Sequence, residues 1–275
     1  MTTNATSPAG ATMALWHREV VRFLRDRSRV TSSLGQPIFF WLLFAGSLQN
    51  SFTPGGQAYG EYFFPGTLAM IVMFTAIFAT ITVIEDRKEG FLQGVLVAPV
   101  SRASIALGKV CGAATLALGH SLVFLVLAPV AGVPFSVVPA LHAILALTVI
   151  AFALSGLGVA LAWKMDSTAG YHGVMMLGLM PMLLLSEAFF PAKGAHPVLS
   201  YVMAANPLRY GVAWIRRALY GEQLDVPAEA LAEGAAALDV PSLPLAAGAT
   251  VAFAILAFWL AARAVNKRSS RDALT

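Results

Sequence analysis

Gly108-Lys109 is the chain's one Gly-Lys pair, and a loop that cradles nucleotide phosphates ends in that pair. Such a loop needs G-x-x-x-x-G-K-[ST]. Here Ala103 stands at the first glycine and Val110 at the hydroxyl position, so the chain does not bind ATP by that route. Gly119-His120-Ser121 sets a serine beside a histidine, the ingredients of nucleophilic catalysis. Adjacent residues on a helix do not face each other, and the pair reads as packing. His142 and His172 flank apolar runs and suit interfacial places, while His17 and His196 have no partner at metal-ligand spacing. Met175, Met176, Met180 and Met182 lack a nearby His or Cys and read as packing too. Cys111, the single cysteine, cannot form an intramolecular disulfide and reads as an apolar filler. Glu187 lies near the end of an apolar run. Within hydrocarbon it needs a partner, Lys193 or Arg209; at headgroup level it needs none. Both readings stay open for this pathway or structural polar site.

The stretch Glu85 to Lys109, EDRKEGFLQGVLVAPVSRASIALGK, is of another kind. It comes after an uncharged apolar run and opens with five charged residues. Hydrocarbon would penalise each Asp, Lys or Arg at mid-depth by about 2.5–3.5 kcal/mol, so the chain is in water by Glu85. Phe91, Leu92, Val95 and Leu96 then fall at i, i+1, i+4, i+5, one apolar stripe on a short helix. Pro99 stops that helix, and Ser101 caps the next. A short amphipathic helix held between two apolar runs suits the membrane surface or a groove on a partner.

Composition dictates the elements that must position this connector. The 275 residues are 58% hydrophobic and 12% charged, with mean hydropathy +0.73, against about a quarter charged in soluble domains. The chain reads as an all-α polytopic membrane protein with six transmembrane helices, at about 35–51, 63–84, 105–131, 140–163, 173–190 and 245–262. Residues 1–12 read as a disordered tail, 13–268 as one membrane domain, and 269–275 as a second tail. The long polar lead-in argues for an uncleaved anchor rather than a signal peptide.

From 13 to 30 the pattern is that of an amphipathic interfacial helix. Trp16, Val20, Phe23 and Leu24 form one face, and Arg18, Arg22, Arg25 and Arg29 another, suited to anionic headgroups or simply to water. Pro181 predicts a kink in the fifth span. Residues 191–221, apolar but broken by Pro191, Pro197 and Pro207, read as re-entrant or interfacial helices, and 222–240 as an acidic soluble loop. The net charge of +4 is not a nucleic-acid footprint, because its distribution tracks the membrane. Fourteen of the 18 Lys and Arg fall on one side, which puts both termini and the connector in the cytoplasm.

On the connector residues Glu85, Arg87, Gly90, Pro99, Ser101, Arg102, Gly108 and Lys109, the chain resembles the type-2 ABC transporter permeases. RFLRDR at 22–27, Phe189-Phe190-Pro191, and Asn206-Pro207-Leu208 with Tyr210 and Arg216 resemble further segments of that family. Two departures stand out: Phe91-Leu92-Gln93, where many members carry Thr-Leu-Glu, and Glu187, where a small residue is commoner. The resemblance implies the membrane-spanning subunit of an exporter in the cell inner membrane, a homodimer or a heterodimer with a related permease, surrounded by membrane lipids. It implies that ATP and Mg bind a separate ABC ATPase subunit and no cofactor binds this chain. Glu85, Arg87, Glu89, Gly90, Phe91, Val95, Leu96, Pro99 and Arg102 are then the coupling residues, and drugs, lipids or lipid-linked saccharides the cargo. An ion-coupled carrier or channel would want charges inside several spans. It remains an alternative, as does a membrane assembly or signalling subunit that moves nothing.

Overall fold

The computed structural model describes residues 7–48, 58–134, 136–192, 196–224 and 238–272; the side chains of 29, 222, 223 and 267–272 are outside the description. Every regular element among the described residues is helical. In chain order they are α1 (Pro8–Arg25), α2 (Arg27–Leu48), α3 (Tyr59–Thr80), α4 (Thr82–Lys88), α5 (Phe91–Val97), α6 (Arg102–Leu125), α7 (Val137–Ala162), α8 (Thr168–Leu184), α9 (Pro197–Ala205), α10 (Pro207–Tyr220) and α11 (Leu243–Asp272), with a 3-10 turn at Gly221–Leu224.

Four segments are long and apolar enough to cross a membrane: Tyr59–Lys88, Arg102–Leu125, Val137–Ala162 and Leu243–Asn266. They correspond to expected spans two, three, four and six. Span one falls on α2, whose first ten residues are largely polar. Span five falls on α8, only 17 residues long. Its apolar run continues to Phe190, but the helix stops at Leu184: Leu185 N makes the closing bond, to Pro181 O at 2.9 Å, and Leu185 itself, at ψ 14°, leaves helical backbone. The third span also ends early, at Leu125 rather than 131. Pro129 and Gly132, at φ 79°, turn the chain there.

α3 lies at the centre, with 94% of its most apolar window buried, and packs on α2, α6 and α7. α11 packs on α7, α10 and α6 from outside. In a bilayer, helix association gains little from apolar burial and much from close approach, so small residues mark the contacts. Gly158 meets Thr80, and Gly156 meets the backbone of Ala257 and Phe258.

The N-terminal helix departs from expectation. It starts at Pro8, capped by the Ser7 hydroxyl accepting from Gly10 N, so 8–12 are helical; it ends at Arg25, and Asp26 breaks it from α2. It packs lengthwise on α6, with Thr12 opposite Ser104, Leu15 opposite Gly108 and Glu19 opposite Gly112. A Cβ on Gly112 would stand 2.6 Å from that of Glu19. Gly108-x-x-x-Gly112 is thus the seat on which α1 lies. Residues 1–6 of the expected disordered tail, residues 49–57, Lys193, most of the 222–240 loop and residues 273–275 lie outside the described residues.

Candidate functional site

The connector folds as α4, a turn and α5. Ile81 joins α3 to α4 in helical backbone, so the charges begin directly below the central helix. Gly90, at φ 79°, makes the turn, a conformation that any side chain would strain. At the far end Val97 closes α5, Pro99 comes two residues later, and the Ser101 hydroxyl accepts from Ser104 N at 3.1 Å to start α6, as the sequence predicts.

Asp86 is the hub of this region and is fully buried. Lys109, on α6 and 2% exposed, bridges Asp86 Oδ2 and Glu19 Oε1, the latter at 2.6 Å. Arg18 grips both oxygens of Asp86, at 2.6 and 2.9 Å, and Arg22 adds a third cation at Oδ1. Arg22 also reaches Glu89 at 2.9 Å and Glu85 at 3.2 Å. Glu19, 4% exposed, takes a 2.6 Å hydrogen bond from the Thr82 hydroxyl at Oε2. Burial disfavours the Arg18 guanidinium's charge, but its hydrogen bonds and Coulomb attraction to Asp86 and Glu19 outweigh this and raise its pKa.

The other side of α4 is tied down by Arg87. Its Nη2 donates to Trp163 O at 2.6 Å and its Nη1 to Met165 O at 2.8 Å, with Asp166 at 3.5 Å. Cations at helix C-termini meet unpaired carbonyls and the negative end of the dipole. One connector is therefore bonded to α1, α6 and the α7–α8 link at once. What it can do is pass a displacement of α5 to the helices above.

The expected site residues fall unevenly on this frame. Glu85, Arg87, Glu89 and Gly90 belong to it. Leu92 is buried, and Phe91, Val95 and Leu96 are half-buried against the chain's own core, with the Arg18 guanidinium 3.6 Å over the Phe91 ring. The stripe expected to fill a partner's groove thus fills, in large part, this chain's own. The outward face is Gln93, Gly94, Val97 and Pro99, with Val97 86% exposed. Arg102 opens α6, half-buried, its Nη1 shut off from water with no hydrogen-bond partner among the described residues.

On α1, Trp16 donates to Thr115 Oγ1 at 2.9 Å and Phe23 is buried against the His120 ring. Arg18 and Arg22 bind carboxylates rather than standing free on a solvated face. Arg25 is exposed, and Arg29 lies near the start of α2 with its side chain outside the description. Sequence reasoning missed Asp86 and Glu19, and read Lys109 only as part of a motif. A signal existed: Leu15, Glu19 and Phe23 share one helical face, so an acid sits where burial is expected and requires a cation.

A second polar cluster lies at the opposite end of the bundle, where α8 gives way to turns. Glu187 is 4% exposed, and its carboxylate accepts from Arg209 Nε. Arg209 Nη2 reaches Asp239 at 3.4 Å, ahead of α11. Arg216, 2% exposed, donates from Nη2 to the carbonyls of Glu187 at 3.1 Å and Tyr62 at 3.3 Å, and stacks 4.1 Å over the Tyr62 ring. The hydroxyls of Tyr62 and Tyr59 donate to the carbonyls of Glu187 and Phe189. Asn206 caps α10 through Leu208 N and donates to Met182 O at 2.6 Å. A Cβ on Gly66 would stand 2.3 Å from Ala188 O, so only glycine lets α3 pass this segment. Glu187 and Arg209 are thus a buried pair, and the water-exposed alternative for Glu187 falls.

Known proteins resemble this chain over most of its length. The profile of the ABC-2 type transporter family matches residues 10–220, which takes in the connector cluster and all of the second except Asp239. Nodulation protein J of Neorhizobium galegae is 26% identical over 262 residues, covering 93% of each chain. The putative transport permease ycf38 of Porphyra purpurea is 25% identical over 74% of this chain and 72% of its own. Nodulation protein J of Rhizobium leguminosarum bv. viciae is 26% identical over 80% and 87%.

Proposed function

This chain is a transport permease that belongs to the ABC-2 type transporter family, and on that premise we propose that it is the membrane-spanning half of an ATP-driven exporter of amphiphiles. The observation that carries the reading is the connector, whose α4 is ion-paired to α1 and α6 and hydrogen-bonded to the α7–α8 link. A chain that hydrolyses nothing does work only when motion reaches it from outside. α5 offers an exposed face for that contact, and the buried ion pairs behind it make the response rigid. ATP and Mg bind the ATPase subunit, and this chain contributes no cofactor site.

Six crossings complete the fold, with α2 and α8 joining the four long apolar segments. Val174, Met176 and Leu177 of α8 and Phe39, Leu42 and Leu43 of α2 are exposed apolar residues. A second copy, or a related permease, covers part of this surface, and membrane lipids cover the rest. A cleft of about 340 Å³, lined by Ser28, Ser32, Glu85, Thr168 and His172 among others, opens at the connector end. It shares Phe78 and His172 with an apolar, methionine-rich slot between α3 and α8. The slot encloses only about 20 Å³, so it takes the apolar part of an amphiphile, a drug, lipid or lipid-linked saccharide, only when α3 and α8 part.

The excess of Lys and Arg on one side, 14 of 18, supports an orientation in the cell inner membrane with the connector and both termini in the cytoplasm. In a Cys111→Ala background, an impermeant thiol reagent added outside is expected to label Ser136→Cys and to spare Ser101→Cys; the reverse pattern would invert the orientation. For the function, reconstitution with the ATPase is expected to give flux of an amphiphile that requires ATP and stops without the ATPase. Flux driven by an ion gradient with the permease alone would replace the exporter by a carrier.

A further inference from the structure

Among the described residues, Glu187 is the one non-glycine residue at positive φ, 62°, a backbone state that L-residues adopt only when their surroundings impose it. Its carboxylate is shut inside the protein against Arg209. Arg216, almost wholly buried beside it, is held by two carbonyls, and among the described residues its Nε has no hydrogen-bond partner. Both guanidiniums attract the one carboxylate of Glu187. A buried cation without a counter-charge is costly unless something anionic completes it. Asp239 lies on the exposed side of Arg209 at 3.4 Å, where water screens it.

We propose that Arg209 and Arg216 form an anion-binding site for the acidic head of the exported amphiphile, and that Glu187 occupies it in this state as an internal stand-in. The proposal rests on the export reading above and narrows its cargo to amphiphiles bearing a phosphate or carboxylate. An arriving anion exchanges with Glu187 on the Arg209 fork, which favours planar or tetrahedral oxyanions. Glu187 then leaves its constrained backbone state. The segment 185–190 that it anchors is also bonded to Tyr59, Tyr62 and Arg216, so exchange loosens the end of the bundle opposite the connector. Cationic amphiphiles meet the same two guanidiniums and are rejected.

The test uses the purified full-length permease alone in phosphatidylcholine nanodiscs, so that a missing ATPase partner leaves it readable. Dodecyl phosphate is the probe, with dodecyltrimethylammonium and inorganic phosphate as comparisons. Wild type is expected to bind dodecyl phosphate at least about tenfold more tightly than either comparison. Glu187→Gln, which keeps the size and removes the competing charge, is expected to tighten dodecyl phosphate by about tenfold, and Arg209→Gln to weaken it by about as much. A purely structural Glu187 would instead leave the order of affinities unchanged. Equal affinity for the two dodecyl probes, or no gain in Glu187→Gln, overturns the proposal. So does loss of dodecyl phosphate binding in phosphatidylglycerol nanodiscs, which assigns the site to a resident lipid headgroup. If Arg209→Gln does not fold, the Glu187→Gln arm decides.

Discussion

Lys109→Met is expected to destabilise the protein by about 3–5 kcal/mol, the range for breaking a buried ion pair by removing one partner. Its side chain is 1% exposed, and its ammonium stands between the carboxylates of Glu19 and Asp86. Without it, two buried carboxylates share the neutralising work of Arg18 and Arg22, whose own side chains are more than a quarter exposed. The loss should be largely recovered when Glu19→Gln is added, because the cost lies in the orphaned charge rather than in the missing attraction. A double-mutant cycle on unfolding in detergent reads this directly. A single-mutant loss under about 1 kcal/mol would show that water reaches the cluster and that it is no rigid joint.

The connector was legible because five charges after an uncharged run cannot remain in hydrocarbon, and because Pro99 and Ser101 mark where one helix stops and another starts. Which of the five turns inward was not legible. Glu85, Asp86 and Glu89 look alike in sequence, and Asp86 is the hub only because α1 and α6 bring Arg18, Arg22 and Lys109 to it from distant stretches. Pairing of α1 with α6 had a local trace in Gly108-x-x-x-Gly112, yet such a spacing does not name the helix it receives. The Phe91, Leu92, Val95, Leu96 stripe marks a surface to be covered. An apolar stripe does not say by what, and here much of the cover is the same chain. Hydropathy carried span five through to Phe190 because it records side chains; the backbone leaves the helix at Leu184, a change that an apolar run does not mark.

These placements decide which residue of the connector best tests coupling. Phe91→Asp would disturb the packing under Arg18 and confuse folding with coupling. Val97 stands free of the core, so Val97→Asp leaves the ion-paired frame intact while placing a charge on the outward face of α5. If a valine there is buried on docking, it contributes about 1.5–3 kcal/mol, and a carboxylate in its place adds a desolvation penalty. The ATPase subunit is therefore expected to bind the variant at least about tenfold more weakly. Val138→Asp, at a valine 76% exposed and at the opposite end of the bundle, serves as control. The direct measurement is the affinity of the purified ATPase for nanodisc-held wild type, Val97→Asp and Val138→Asp. Coupling through α5 requires weakening in Val97→Asp alone, with its unfolding transition unchanged, and it is contradicted if Val97→Asp binds the ATPase as tightly as wild type and supports full ATP-driven flux.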